Sequence, residues 1–158
     1  MKYFGIAYFF LLSFAAQAQQ PVEIDDAITE RNFFLKELTY YIDETNSITF
    51  SQATSTGFSN RYRQHESYQN KDFKTNASYW IRFPVRHNAS SKKIWLFEFY
   101  DQTIDYIEAY IPQEDGSYRG LVMGDTQPFD KRTFLHKNFE IPLVESDSLT
   151  PKTFGQTL

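Results

Sequence analysis

Three runs of aromatic and β-branched residues dominate the pattern of the chain: Ser78-Tyr79-Trp80-Ile81-Arg82-Phe83, Ile94-Trp95-Leu96-Phe97-Glu98-Phe99-Tyr100 and Asp105-Tyr106-Ile107-Glu108-Ala109-Tyr110. Each is bounded by Asn, Ser, Lys, Asp or Gln, as neighbouring antiparallel strands are in sequence. Successive side chains of a strand point to opposite faces of its sheet. The alternation therefore sends Tyr79, Ile81, Phe83 and Val85 inward and Trp80, Arg82 and Arg86 outward. In the second run Trp95, Phe97 and Phe99 go to the core, opposed by Ile94, Leu96, Glu98 and Tyr100. In the third, Ile107, Ala109 and Ile111 go inward, and Tyr106, Glu108 and Tyr110 outward.

The remaining segments fill in around these runs. Thr39 to Phe50 predicts two short strands about the turn Asp43-Glu44-Thr45-Asn46-Ser47, where Asx and Ser side chains bond the turn backbone. Ser51 to Lys74 is polar with isolated Phe58, Tyr62, Tyr68 and Phe73, and predicts a long connection pinned by its rings. Asp115-Gly116 marks a turn ahead of a strand from Tyr118 to Met123. Gly124 to Pro128 breaks that strand, and Phe139, Ile141 and Leu143 alternate in a further one. Ile24 to Leu38 is too irregular for a helix. Ser146 to Leu158, with only Phe154 and Leu158 among Thr, Lys, Gly and Gln, offers no apolar closing strand and reads as irregular. The fold class is all-β, a sandwich.

The amino terminus changes the setting. Met1-Lys2 precedes an apolar run from Tyr3 to Ala16 and the small-x-small sequence Ala16-Gln17-Ala18, the pattern of a secretory signal peptide over residues 1–18. The run is shorter than the roughly 18 apolar residues that suggest a spanning helix. The mature chain is then exported to the periplasm or cell surface. Residues 19–37 form a linker or amino-terminal extension, 38–145 one domain, and 146–158 the irregular tail. There is no cysteine, so no disulfide, thiolate ligand or cysteine lipidation is available.

Charge and motifs narrow the chemistry. The chain carries 16 Lys+Arg against 20 Asp+Glu, a formal net charge of −4, and loss of the leader removes one further lysine. An acidic domain is poorly suited to neutralising phosphate backbones, so nucleic acid is excluded as a partner. No Gly-x-Ser-x-Gly elbow or phosphate-cradling glycine loop is present. His65, His87 and His136 lack metal-ligand spacing, and Asp101, Asp105, Glu114 and Asp115 lack a regular calcium-loop spacing. Glu98 and Glu108 could in principle act as an acid and base pair, but nothing in the sequence raises the pKa of either. We therefore assign no catalytic residue, no metal and no cofactor, and expect a non-enzyme.

The outward set Trp80, Arg82, Glu98, Tyr100, Tyr106, Glu108 and Tyr110 is the candidate ligand-binding surface. Flat rings stack on the apolar faces of pyranoses, and Arg and carboxylates bond vicinal hydroxyls, so the mixture suits a saccharide. The plain alternative stands beside it: Arg82 and Glu98 pair across strands, and the 51–74 connection covers Trp80.

The order Tyr40-Tyr41-Ile42-Asp43-Glu44, Tyr79-Trp80-Ile81-Arg82-Phe83, Asn88, Trp95-Leu96-Phe97-Glu98, Asp105 to Tyr110, Gly116, Gly124-Asp125 and Arg132 resembles one family. It is the second type of extracellular domain of seven-transmembrane receptors with diverse intracellular signalling modules (7TMR-DISM). The resemblance runs from about Leu38 to about Leu143. It implies a jelly-roll β-sandwich similar to carbohydrate-binding modules and galactose-binding-like domains, sensing a small-molecule or saccharide ligand outside the inner membrane. Receptors of this type continue into membrane helices and an output module. A chain stopping at Leu158 is therefore expected to be a truncated receptor piece, tied to a membrane only through the missing portion. The alternative is a structural or protein-interaction sandwich that docks another envelope protein.

Overall fold

A computed structural model describes residues 20–87, 93–113, 115–143 and 152–157. The segment read as a signal peptide (1–18), Asn88, Glu114 and the 146–151 and 158 parts of the tail lie outside the described residues. In chain order these contain β1 (Val22–Ile24), β2 (Thr39–Asp43), α1 (Phe50–Thr54), α2 (Thr56–Ser59), β3 (Arg63–Gln64), β4 (Ser78–His87), β5 (Trp95–Phe99), β6 (Ile107–Pro112), β7 (Tyr118–Met123), β8 (Phe139–Leu143) and β9 (Lys152–Thr157). The described residues are all-β apart from two short helices and three single 3-10 turns. No helix among the described residues is long and apolar enough to cross a membrane.

Two sheets enclose one core. The larger has the order β3-β2-β4-β9-β6-β7, with β1 lying parallel to the end of β4, and the smaller pairs β5 with β8. The alternation read from sequence places the side chains. Tyr79, Ile81, Phe83 and Val85 of β4 are buried with Tyr40 of β2 and with Ile107, Ala109 and Ile111 of β6. They face Phe139 and Ile141 of β8, and the half-buried Trp95, Phe97 and Phe99 of β5. The Phe83 and Phe97 rings meet across the layers with centroids 4.5 Å apart.

Three segments depart from expectation. Phe50 does not extend a second strand but opens α1, because Thr49 and Gln52 cap the helix reciprocally. The Thr49 hydroxyl accepts the Gln52 N–H at 3.3 Å, and the Gln52 side chain accepts the Thr49 N–H at 2.8 Å. Residues 22–24, within the segment read as an extension, add β1 to the large sheet, where Ile24 is buried and Glu23 lies opposite Arg86, 2.6 Å away. The 152–157 segment supplies β9, antiparallel to both β4 and β6. Its Thr-, Gly- and Gln-rich composition hid the strand, because strand preference depends on the neighbours a segment finds rather than on its own residues.

Two local devices fix the connections. Gly124 ends β7 at φ +134°, and a side chain there would overlap the carbonyl oxygen of Asp105. The turn it permits is bonded to the segment leading into β6, with the Asp125 N–H donating to Ile104 O at 2.8 Å and the Thr126 hydroxyl to Asp105 O at 2.7 Å. At the other side, buried Asp43 turns the chain from β2 towards α1. Its carboxylate accepts from the Thr45 N–H and hydroxyl at 3.0 and 2.6 Å, and from the Ser47 and Ile48 N–H groups, both at 2.8 Å.

Burial alone would raise the pKa of Asp43, but these hydrogen bonds outweigh it and hold the carboxyl below its usual range. A depressed folded-state pKa stabilises the fold above the unfolded value of about 3.9, and that contribution is lost as pH falls through the folded value. Asp43→Asn is therefore expected to lose about 1.5–3 kcal/mol at pH 7, the range for hydrogen bonds to a charged group. The difference from the parent should shrink below about pH 4. Urea denaturation at pH 7 and pH 3 checks both; equal stability of the two proteins at pH 7 would contradict it.

Candidate functional site

The seven candidate residues fall on two separate surfaces. Trp80 and Arg82 of β4 and Glu108 and Tyr110 of β6 point to the outward face of the large sheet, with Tyr106 just ahead of β6. Glu98 lies on β5 in the other sheet, and Tyr100 directly follows it. Arg82 and Glu98 therefore do not pair, since the strands that sequence order makes neighbours belong to different layers.

On the large sheet, α1 and α2 roof the β4 half of the face. Trp80 is only 3% exposed and clusters with Ala53, Phe58 and Tyr62. Arg82 donates from Nη2 to the Ala53 carbonyl at 2.8 Å, and its guanidinium lies 3.7 Å from the centre of the Tyr62 ring. The Tyr62 hydroxyl donates to the same carbonyl at 3.3 Å. Burial raises the Tyr62 pKa, and the Arg82 charge partly offsets the rise. Between roof and sheet, among Phe50, Ala53, Tyr62, Trp80, Arg82 and Tyr118, there is a cavity of about 20 Å³. That holds roughly one water, well short of the roughly 300–1,000 Å³ of an enclosed small-molecule pocket.

The β6–β7 half is open. Phe50 stacks on Tyr110 at 3.8 Å with its ring 13° from parallel, and meets Tyr118 edge-on at 4.9 Å. Tyr106, Tyr118 and Val122 are all more than two-fifths exposed. The register sets Gly120 opposite Tyr110 and Val122 opposite Glu108. A side chain at Gly120 would touch nothing, so the sheet is bare beside the Tyr110 ring. Glu108 stands between two phenols. Tyr110 ionises well above its usual range because of burial first, then its hydrogen bond to Glu108 and the Glu108 charge. Tyr106 is raised by burial and by the same carboxylate. This face is a shallow platform of rings around one carboxylate.

On the small sheet, Glu98 lies directly opposite Glu140. His136 Nδ1 stands 3.5 Å from Glu98 Oε1 and 3.3 Å from Glu140 Oε1, and Asn138 Nδ2 donates to Glu98 Oε1 at 2.6 Å. Tyr100 is exposed and donates to Glu30 at 3.2 Å; the Glu30 charge and hydrogen bond, with the Glu98 charge, raise its pKa. Sequence reasoning missed this group, since Glu98 joins the others only through the β5–β8 pairing. The spacing of His136 and Glu140 was its one visible sign.

Residues 35–154 match the model of the family 7TMR-DISM extracellular 2, and the chain belongs to that family. It is accordingly an extracellular sensor domain of the kind carried by seven-transmembrane receptors. The match runs from ahead of β2 into β9. No curated protein and no solved structure matches the chain.

The roof should depend on Arg82. Arg82→Leu removes a hydrogen bond and a cation–π contact, together worth about 1–3 kcal/mol. A lowered denaturation midpoint, with Trp80 fluorescence shifted towards that of a wetter indole, is the expected result. An unchanged midpoint and spectrum would show that the roof is held by other contacts.

Proposed function

We propose that this domain senses a saccharide outside the cytoplasm, bound on the open β6–β7 face of a jelly-roll sandwich similar to carbohydrate-binding modules. The chain crosses between the two sheets at β4 to β5, β5 to β6, β7 to β8 and β8 to β9, which supports a jelly-roll path. The observation that carries the ligand reading is the flanking of Glu108 by Tyr106 and Tyr110, with the bare backbone of Gly120 opposite Tyr110 and Tyr118 further along the same face against Phe50. Such a platform can stack the apolar face of a sugar ring on a phenol and leave the carboxylate for its hydroxyls, without an enclosed pocket. Trp80 and Arg82 act from beneath, keeping Phe50 against Tyr110 through the roof. Glu98 and Tyr100 lie on the opposite layer and take no part in this contact. The leader peptide and the family fit export to the periplasm or cell surface.

A second reading has its own support, because β7 is the last strand of the large sheet and carries exposed Tyr118 and Val122. An edge of this kind can pair with another envelope protein. Titration of the mature chain with cello-, xylo- and malto-oligosaccharides separates the two. The saccharide reading expects binding to at least one series, weakened tenfold or more, about 1.4 kcal/mol, by Tyr110→Ala or Glu108→Gln with unchanged circular dichroism. Loss of binding on Tyr100→Ala instead would move the ligand to the other sheet. Absence of binding to any glycan, with an envelope protein captured through β7, would favour the interaction reading.

A further inference from the structure

We propose that the outward face of the β5–β8 sheet is a metal site, in which Glu98, Glu140 and His136 hold a divalent first-row cation of the Zn²⁺ class. The three side chains each offer one ligand atom, and these atoms lie within 4.8 Å of one another. They come from both strands of the small sheet and from the loop that leads into β8.

Two features of the group call for a cation. Glu98 and Glu140 are directly opposed across the antiparallel pair, a placement that destabilises a sheet when both residues carry the same charge. Among the described residues no Lys or Arg forms an ion pair with either of them. His136 Nδ1 and two carboxylate oxygens thus converge with no Lys or Arg among them.

Asn138 supplies an independent sign. It is 4% exposed, its amide lies against Glu98, and its Oδ1 is buried with no hydrogen-bond partner among the described residues. Buried polar atoms are nearly always satisfied, and turning this amide over would bring its unpaired oxygen to the Glu98 carboxylate, an arrangement that a cation there would satisfy. The loop is also held in place. Arg132 donates from Nη1 to the carbonyls of His136 and Lys137 at 2.8 and 2.7 Å, and its guanidinium lies over the Phe129 and Phe139 rings. His136 is thereby presented by a fixed backbone.

The donor set chooses the metal. One imidazole with two carboxylates suits Zn²⁺ or a neighbouring transition ion, whereas Ca²⁺ and Mg²⁺ prefer oxygen alone. A two-stranded sheet is marginal by itself. A cation bridging β5, β8 and the incoming loop would fasten the smaller layer to the core, and so link the stability of the domain to the metal.

The test uses the mature chain, freed of metal with a chelator and titrated with ZnCl₂ by calorimetry, with thermal denaturation read in parallel. One Zn²⁺ bound per chain with a raised Tm is expected, and Ca²⁺ should give neither. Glu98→Gln, His136→Ala and Glu140→Gln should each weaken Zn²⁺ binding at least tenfold and abolish the rise in Tm. Glu66→Gln, a control elsewhere on the surface, should change neither. The Gln substitutions keep shape while removing the like-charge repulsion, so the metal-free variants should fold at least as well as the parent. Failure to bind Zn²⁺, or stoichiometric binding that survives all three substitutions, overturns the proposal.

Discussion

Burial of both faces of β4 is the constraint from which the rest of the structure follows. The inward row of Tyr79, Ile81, Phe83 and Val85 packs on the second sheet, while Trp80 on the outward row is sealed by α1 and α2. A strand covered on one side only would leave the indole in water and the Arg82 guanidinium unanchored. The capping of α1 by Thr49 and Gln52, the Asp43 turn ahead of it and the stacking of Arg82 on Tyr62 all serve to hold that cover in place.

The cover is incomplete, and its limit divides the outward surface. It reaches Tyr110 through Phe50 and then stops, so the β4 half of the sheet is sealed while the β6–β7 half is open. β9 runs between the two halves, bonded to β4 on one side and β6 on the other. The closed half packs the sheet against the helices, and the open half leaves rings exposed on it. The smaller sheet carries a different chemistry, with acids and an imidazole in place of stacked rings.

Much of this was legible in the sequence, and the exceptions share a cause. The alternation of Tyr79 to Val85 and of Ile107 to Ile111 identified strands and their inward faces, because period-two burial leaves a direct imprint on residue order. The family could be read from the same runs, and the family model confirms it. What alternation cannot report is which sheet a strand joins. Sequence neighbours β4, β5 and β6 were treated as one wall, yet β5 pairs with β8 in the other layer. Glu98 and Tyr100 were thus grouped with residues they never meet. The helices escaped notice because the 51–74 segment is polar, although Thr49-Phe50-Ser51-Gln52 carried a capping box. Strands β1, three residues long, and β9, mostly polar, escaped because such strands gain their stability from partners far along the chain, here β4 in both cases.

Native-state hydrogen exchange followed residue by residue tests the two-sided burial of β4 most directly. The amides of Ile81, Arg82 and Phe83 should be among the slowest in the protein, exchanging only on global unfolding, while those of α1 and α2 exchange sooner as the cover opens locally. Exchange of the β4 amides as fast as those of α1 would contradict the account.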